Sequence, residues 1–169
     1  MILEKMLQSQ GFGSRKYCQQ LIKNGAIEVG GEIITDPKFK LNLIDLEYSV
    51  YAKSYQYREK VYIALNKPAG YGCSHQSTHH FSVFELFDEV LLNRGLQCVG
   101  RLDQDTTGLL LLTDDGQLLQ ALTHPKKHVP KVYRMQTADP VTEDQVIALE
   151  QGVELINETG VFAATDVVK

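Results

Sequence analysis

The chain has 169 residues, with 17 Lys and Arg against 21 Asp and Glu and a formal net charge of -4. Hydrophobic residues make up 43% and charged residues 22%, which is typical of a soluble globular protein and excludes a disordered or fibrous one. No apolar run approaches the roughly 18 residues of a membrane-spanning helix, and the first ten residues lack the pattern of a secretory signal. We therefore expect a cytoplasmic protein that does not engage a membrane.

The first forty residues predict two helices. Apolar residues at helical spacing run from Ile2 to Leu7, and Gly11 ends that pattern. Ser14 is a suitable N-cap for a second helix, and Gly25 is a suitable residue just past its end. One face of this second helix is apolar and the other is polar, so we expect it to pack on one side only.

Short β-rich runs flank Gly30 and Gly31, a pattern that predicts a hairpin. Residues 45–60 are polar and rich in tyrosine, and we interpret them as a last strand followed by a linker. This interpretation places a small domain over residues 1–60 and a larger domain over residues 61–169.

The larger domain predicts interspersed strands and helices, which indicates an α+β fold. Capping-box patterns predict a helix over 83–91 and another after Thr142, and a third helix is predicted to begin near Asp115. The strand at 109–113 is expected to be buried, and the tail reads as β-structure with a turn at 157–160. The strands are predicted at residues 61–65, 97–102, 109–113, 132–137 and within 153–169.

Metal chemistry finds no support in the spacing of the candidate ligands. Cys18, Cys73 and Cys98 are far apart and form no CxxC pair, so we expect reduced, buried thiols. The five histidines fit no zinc template, and no phosphate-binding glycine loop occurs. The sequence therefore predicts no metal site.

A locally basic stretch stands out in a chain that is acidic overall. Residues 116–138 contain no Asp or Glu. Local positive charge of this kind can follow RNA phosphates, and a solvated loop is the alternative interpretation. The basic residues of this stretch are Lys126, Lys127, Lys131 and Arg134, accompanied by His124 and His128.

The most unusual segment is GRLDQDTTG at residues 100–108, which lies between two apolar strands. Polar groups on a loop between rigid strands are typical of functional sites. Arg101 beside Asp103 favours the ionised carboxylate, which could act as a nucleophile or a base. The alternative is a turn with an Asp cap and a local ion pair.

Several motifs together resemble the RNA pseudouridine synthases of the small-subunit ribosomal type. The run GRLDQDTTGLLLLTDDG at 100–116 resembles the signature of that family, and NKPAG at 66–70 resembles its first motif. The segment HPKKH at 124–128, followed by KVY at 131–133, is similar to the basic stretch and tyrosine that come next. The N-terminal segment 14–37 resembles the alpha-L RNA-binding domain that is shared with a small-subunit ribosomal protein.

The resemblance implies an isomerase that rearranges a uridine already built into RNA. It implies an α+β fold in which a helical and hairpin RNA-binding domain precedes a largely antiparallel catalytic domain. The essential carboxylate of the family corresponds to Asp103, which attacks the anomeric carbon or removes a ribose proton. Arg101 would pair with Asp103 or steady the flipped nucleotide, and Tyr133 would stack on the uracil. Thr107 and Lys67 are expected to bind substrate, and neither a metal nor an organic cofactor is implied.

RNA binding is expected on the basic face of the second predicted helix and on the segment after the hairpin, where shape rather than sequence would be read. For each of these charges alone, a solvated surface position is the alternative. The expected RNA-binding residues are Arg15, Lys16, Lys23, Lys38, Lys40, Lys126, Lys127 and Lys131.

The resemblance implies 16S ribosomal RNA, or an assembling small subunit, as the partner of a monomeric enzyme. The alternatives are a large-subunit RNA pseudouridine synthase, a non-catalytic RNA-binding protein and an Asp-dependent hydrolase of small molecules. The last family motif, EGxxHQVxRM, has no counterpart in residues 153–169. We therefore expect a catalytic domain that lacks its C-terminal part.

Overall fold

The computed structural model describes residues 1–75, 81–127, 129–156 and 159–168. It divides into two compact units, Met1–Val129 and a second unit from Pro130 onward. Helices and mainly antiparallel strands are mixed along the chain, which confirms the predicted α+β class. No helix in the described part of the chain has the length and apolar character that a bilayer crossing requires.

The first fifty-six residues form two helices on a four-stranded antiparallel sheet. Helix α1 spans Leu3–Ser9 and α2 spans Arg15–Lys23. As predicted, the Ser14 hydroxyl caps α2 by accepting the Tyr17 N–H at 3.3 Å. The strands, in the sheet order β2-β1-β3-β4, are β1 Ile27–Val29, β2 Glu32–Ile33, β3 Glu47–Val50 and β4 Lys53–Gln56.

The helices and this sheet enclose the first hydrophobic core, because their apolar faces have no other surface to cover. The segment 45–60, predicted as one strand and a linker, instead contains the β3–β4 hairpin. Tyr51 and Ala52 turn this hairpin with positive φ angles, which few non-glycine residues adopt. The most deeply buried members of the core are Leu3, Met6, Leu7, Cys18, Ile22 and Ile27.

The rest of the first unit is organised around a three-stranded antiparallel sheet. Its strand order is β5-β9-β8. Between β5 and β8 along the chain, strands β6 and β7 form a separate short parallel pair. The strands are β5 Tyr62–Lys67, β6 Tyr71–Gly72, β7 Phe81–Ser82, β8 Gln97–Cys98 and β9 Gly108–Thr113. The helices are α3 Glu89–Leu92 and α4 Gly116–Thr123, with 3-10 turns at Val83–Leu86 and Pro125–Lys127.

Three predictions for this sheet and its surroundings need correction. The strand predicted over 97–102 ends at Cys98, because the loop that follows turns at Gly100. The helix predicted over 83–91 is a 3-10 turn followed by α3. The strand predicted as buried has only one buried face, since Leu110 is 2% exposed while Leu109 is 70% exposed.

The second unit contains helix α5 at Glu143–Gln151 and the antiparallel pair β10 Val153–Glu154 with β11 Val161–Phe162. The predicted capping box at Thr142 is present. The strand predicted over 132–137 is wrong, because these side chains are exposed and no neighbouring strand pairs with them in the described chain. Of the predicted turn at 157–160, residues 157 and 158 lie outside the described residues.

A buried ion pair fastens the segment between the two hydrophobic cores. The guanidinium of Arg94 lies 2.7 Å from the Asp114 carboxylate, and the two side chains are 3% and 6% exposed. Arg94 also donates to the carbonyls of Arg58 and Glu59, at 2.8 and 3.2 Å. Asp114 accepts the N–H of Val61 at 2.8 Å. The chain from 58 to 61 is therefore fixed to the end of β9.

We predict that Arg94→Met lowers the free energy of unfolding by about 3 to 5 kcal/mol, because it leaves the Asp114 carboxylate buried without a cation. The matched control is Lys53→Met, which breaks the exposed Lys53–Asp88 pair at 3.5 Å and should cost less than about 1 kcal/mol. Urea unfolding of the three proteins measures both changes. Equal losses in the two variants would contradict the prediction.

Candidate active site

The segment 99–107, called here the Asp103 loop, joins β8 to β9. Val99 extends the strand pairing by donating its N–H to the Leu111 carbonyl at 2.7 Å. Gly100 and Gly108 delimit the rest of the loop with φ angles of +84° and +124°, a region that glycine adopts without steric cost. The loop therefore leaves and rejoins the sheet sharply, between two strands that cannot move independently.

A buried lysine holds the backbone of the Asp103 loop in place. Lys67, the last residue of β5, is 1% exposed. Its Nζ donates to the carbonyls of Pro68 at 3.0 Å, Gln104 at 2.9 Å and Thr106 at 2.7 Å. An ammonium group has three hydrogens, so every donor is used within the protein. We propose this supporting role for Lys67 in place of direct contact with substrate.

Two further contacts fix the loop on either side of Asp103. The N–H of Gly70 donates to the Gln104 carbonyl at 2.9 Å. On the other side, the Cys73 thiol donates to the Leu102 carbonyl at 3.4 Å and accepts the Leu102 N–H at 3.5 Å. Sequence reasoning missed Cys73, because nothing in its spacing signals a bond to a loop 29 residues away.

Asp103 itself is exposed, and its carboxylate has no hydrogen-bond or ion-pair partner among the described residues. Its backbone carbonyl accepts the Thr106 N–H at 3.1 Å, which closes a turn. Arg101 and Thr107 are also exposed on this loop. The ion pair that the sequence suggested between Arg101 and Asp103 is not formed. Within the described part of the chain, the loop therefore presents an unpaired carboxylate on a backbone that Lys67, Gly70 and Cys73 hold in place.

The remaining substrate-binding candidate, Tyr133, is 78% exposed and belongs to the second unit, as does Lys131. Lys126 and Lys127 are exposed in the 3-10 turn Pro125–Lys127 that follows α4. His128, predicted in the same basic stretch, lies outside the described residues.

Arg15, one of the expected RNA-binding residues of the N-terminal part, pairs with a buried glutamate. Glu4 accepts from Gln19 at 2.5 Å and from Arg15 Nε at 3.0 Å. These hydrogen bonds, Gln19 first, together with the positive charges of Arg15 and Lys38, lower the pKa of Glu4 despite its burial. Arg15 and Lys38 are thus brought together from separate segments, while Arg15 keeps a 65% exposed side chain. Lys16, Lys23 and Lys40 are exposed as well.

The three cysteines are free thiols, of which Cys18 is buried and the other two are half-buried. Burial, with a smaller contribution from the neighbouring Cys73, raises the pKa of Cys98 to about 12. No group of three or more His, Cys, Asp or Glu within the described ranges is arranged to hold a metal ion.

We predict that Lys67→Met lowers the free energy of unfolding by about 1 to 3 kcal/mol, since it leaves three carbonyls without their buried donor. The replacement keeps the apolar part of the side chain and removes the ammonium. The exposed Lys60 offers the control, because Lys60→Met should change stability by no more than about 0.5 kcal/mol. A Lys67→Met variant as stable as the original chain would contradict this description of the loop.

We predict that Cys98 in the folded chain reacts with iodoacetamide at pH 8 at least roughly 100-fold more slowly than in urea. Its raised pKa keeps the thiol protonated, and the thiolate is the reactive form. Mass spectrometry after timed alkylation measures the rate at each cysteine. Similar rates at Cys98 in the folded and unfolded chain would contradict its burial.

Comparison with known proteins gives a consistent result. The model of the family of RNA pseudouridylate synthases matches residues 61–158, and the S4 domain model matches residues 3–45. An uncharacterized RNA pseudouridine synthase of Bacillus subtilis is 37% identical over 153 residues, which are 90% of this chain and 64% of the relative. Ribosomal small subunit pseudouridine synthase A of Haemophilus influenzae is 35% identical over 158 residues, and that of Escherichia coli is 37% identical over 159 residues.

The chain spans 64% of the length of the Bacillus subtilis relative and 68% of the length of the other two. A crystal structure of a pseudouridylate synthase aligns with 96% of this chain and 70% of its own, at 29% identity and a TM-score of 0.48. The family model covers more than half of the chain, including β5, the Asp103 loop and β9. The resemblance found in the motifs is thereby confirmed, and the chain belongs to the RNA pseudouridylate synthase family, with an S4 domain at residues 3–45.

Proposed function

We propose that this chain converts a uridine of 16S ribosomal RNA to pseudouridine, with Asp103 as the catalytic carboxylate. The observation that carries the proposal is the exposed Asp103 carboxylate, which has no partner among the described residues and lies on a loop that Lys67 and Cys73 hold in place. The small-subunit enzymes among its relatives support the choice of RNA.

The reaction rearranges one nucleotide. The bond from the anomeric carbon to the uracil nitrogen breaks, the uracil turns, and a bond from the same carbon to a ring carbon forms. A base proton is redistributed and no atom is gained or lost, so no oxidant or reductant enters the balance. Asp103 either attacks the anomeric carbon or removes a ribose proton, and both routes require an ionised carboxylate that can approach the ribose.

An exposed loop suits a target base that must leave the base stack of its RNA before it can react. Extrusion of a paired base costs a few kcal/mol, and this cost is smaller in a single-stranded or looped RNA. In our proposal Arg101 steadies the extruded nucleotide and Thr107 contacts it from the same loop. Tyr133 stacks on the uracil once RNA is bound.

The S4 domain supplies the affinity in this proposal. Exposed basic side chains on α2 and on the segment after the hairpin contact phosphates, and the basic stretch after α4 extends this contact. In this proposal the RNA-binding domain spans residues 1–60 and the catalytic domain spans residues 61–169. The protein is a cytoplasmic monomer, and its substrate is free rRNA or an assembling small subunit. The contributing residues are Arg15, Lys16, Lys23, Lys38, Lys40, Lys126, Lys127 and Lys131.

We predict that the chain forms one new pseudouridine in 16S rRNA transcripts and that Asp103→Asn lowers the rate by at least about 1,000-fold, because the carboxylate is lost. Asp105→Asn, which changes another exposed carboxylate of the same loop, should leave the product in place. Chemical mapping of pseudouridine measures all three. A product unaffected by Asp103→Asn would contradict the assignment, and a product found only in 23S rRNA would move it to large-subunit RNA.

We predict that changing Lys16 and Lys23 to Gln reduces the slope of log affinity against log salt by about 1.4 to 1.8, since two phosphate contacts are lost. The exposed Lys5 on α1 lies outside the expected set, so Lys5→Gln should leave the slope unchanged. Titration of labelled rRNA fragments at several salt concentrations gives the slopes. Equal slopes in the original and the doubly substituted chain would place the RNA elsewhere.

A further inference from the structure

Side chains from both parts of the first unit meet at the backbone of Arg58. Gln10, the C-cap of α1, donates from Nε2 to the Arg58 carbonyl at 2.9 Å and accepts the Arg58 N–H at 3.0 Å. Arg94, just after α3, donates to the same carbonyl at 2.8 Å. One peptide segment is therefore held from the S4 side by Gln10 and from the catalytic side by Arg94.

The chain of bonds continues to the candidate active site. Arg94 donates from Nε to the Asp114 carboxylate at 2.8 Å, and Asp114 directly follows β9. Strand β9 begins at Gly108, where the Asp103 loop ends. A continuous series of hydrogen bonds and one rigid strand thus links helix α1 to the loop that carries the proposed catalytic carboxylate.

A close approach between two backbone segments, at Gly11 and Val90, adds a second contact between the S4 side and the catalytic side. Gly11 follows Gln10 with a φ angle of +90°, and a β-carbon at this position would overlap the carbonyl oxygen of Val90. The side chain of Val90 in turn packs on the core of the S4 side. Gln10 is itself 4% exposed, so water cannot replace its bonds at low cost. The two sides are in contact with little room for a hinge.

We propose that Gln10 and Arg94 are positioning residues that fix the angle between the S4 domain and the Asp103 loop. A fixed angle sets a fixed distance between the two sites on the RNA, so that the segment bound by the S4 domain and the target uridine must lie at one separation. This inference rests on the proposed function and adds to it a structural basis for the choice of uridine. Neither residue contacts RNA in this account.

The test compares Gln10→Ala in the full chain with Gln8→Ala, a change of the same residue type on the same helix at a half-buried position. In Gln10→Ala, exchange of the Arg58 amide should accelerate at least about tenfold, and the radius of gyration by X-ray scattering should increase. The KM for 16S rRNA should rise at least about fivefold with kcat unchanged, because Asp103 and its loop are untouched. Gln8→Ala should match the original chain in all of these.

An RNA series provides a readout that a purely structural role would not move. Substrates with one to four nucleotides inserted between the S4-bound segment and the uridine should react poorly with the original chain. The loosened variant should discriminate less between them. Gln10→Met, which keeps the length of the side chain and removes both of its bonds to Arg58, is a second variant for the case that Gln10→Ala does not fold.

The outcomes separate the inference from the proposed function. Faster amide exchange at Arg58 with an unchanged KM and an unchanged response to insertions would show that the fixed angle does not select the uridine. The assignment as an enzyme would stand. If the original chain forms no pseudouridine, the proposed function fails. X-ray scattering and RNA affinity then still test whether Gln10 and Arg94 fix the angle between the S4 domain and the Asp103 loop. Unchanged scattering and affinity in both variants would then overturn it.

Discussion

A buried ammonium group governs the arrangement of the candidate active site. Lys67 is 1% exposed and no carboxylate in the described part of the chain lies within ion-pair distance of it. An unpaired charge in that position would be costly, so its three hydrogens must be met by backbone carbonyls. Two of those carbonyls belong to the Asp103 loop. The need to satisfy one cation thereby becomes the constraint that shapes a loop 37 to 39 residues later in the chain.

The buried pair of Arg94 and Asp114 has a similar effect at the opposite end of β9. It draws the carbonyls of Arg58 and Glu59 onto the sheet, and Gln10 holds Arg58 from the other side. Strand β9 is therefore tied at both ends, to the Asp103 loop and to the S4 side. The exposed carboxylate of Asp103 contrasts with this rigid support, which is the arrangement expected where a large flexible substrate must reach a fixed group.

Much of the fold could be predicted from local signals. Ser14, Ser82 and Thr142 cap their helices as expected, because a cap needs only residues within one turn. The strand predicted over 132–137 failed for a non-local reason, since apolar alternation creates a strand only where a partner strand is available. The β3–β4 hairpin was missed because its turn uses Tyr51 and Ala52 rather than glycine.

The candidate site divides in the same way. Asp103 could be proposed from the sequence because its motif is contiguous, and its role remains a prediction. The burial of Lys67, the contact of Cys73 with Leu102 and the junction at Arg58 depend on residues 29 to 48 positions apart. Their residue types carry no sign of these partners. Charge alone suggested an Arg101–Asp103 pair, but adjacent loop residues can point apart, and the structure leaves both side chains free of that contact.

We propose that Lys67 serves the reaction by holding the Asp103 loop rather than by binding RNA. The most direct test measures RNA affinity and pseudouridine formation side by side for Lys67→Met, well below its unfolding temperature. We expect an affinity within about twofold of the original chain and a rate at least about tenfold lower, because in our proposal RNA binds to the basic surfaces and only the loop is disturbed. An unchanged rate, or a loss of affinity that accounts for the lower rate, would contradict it.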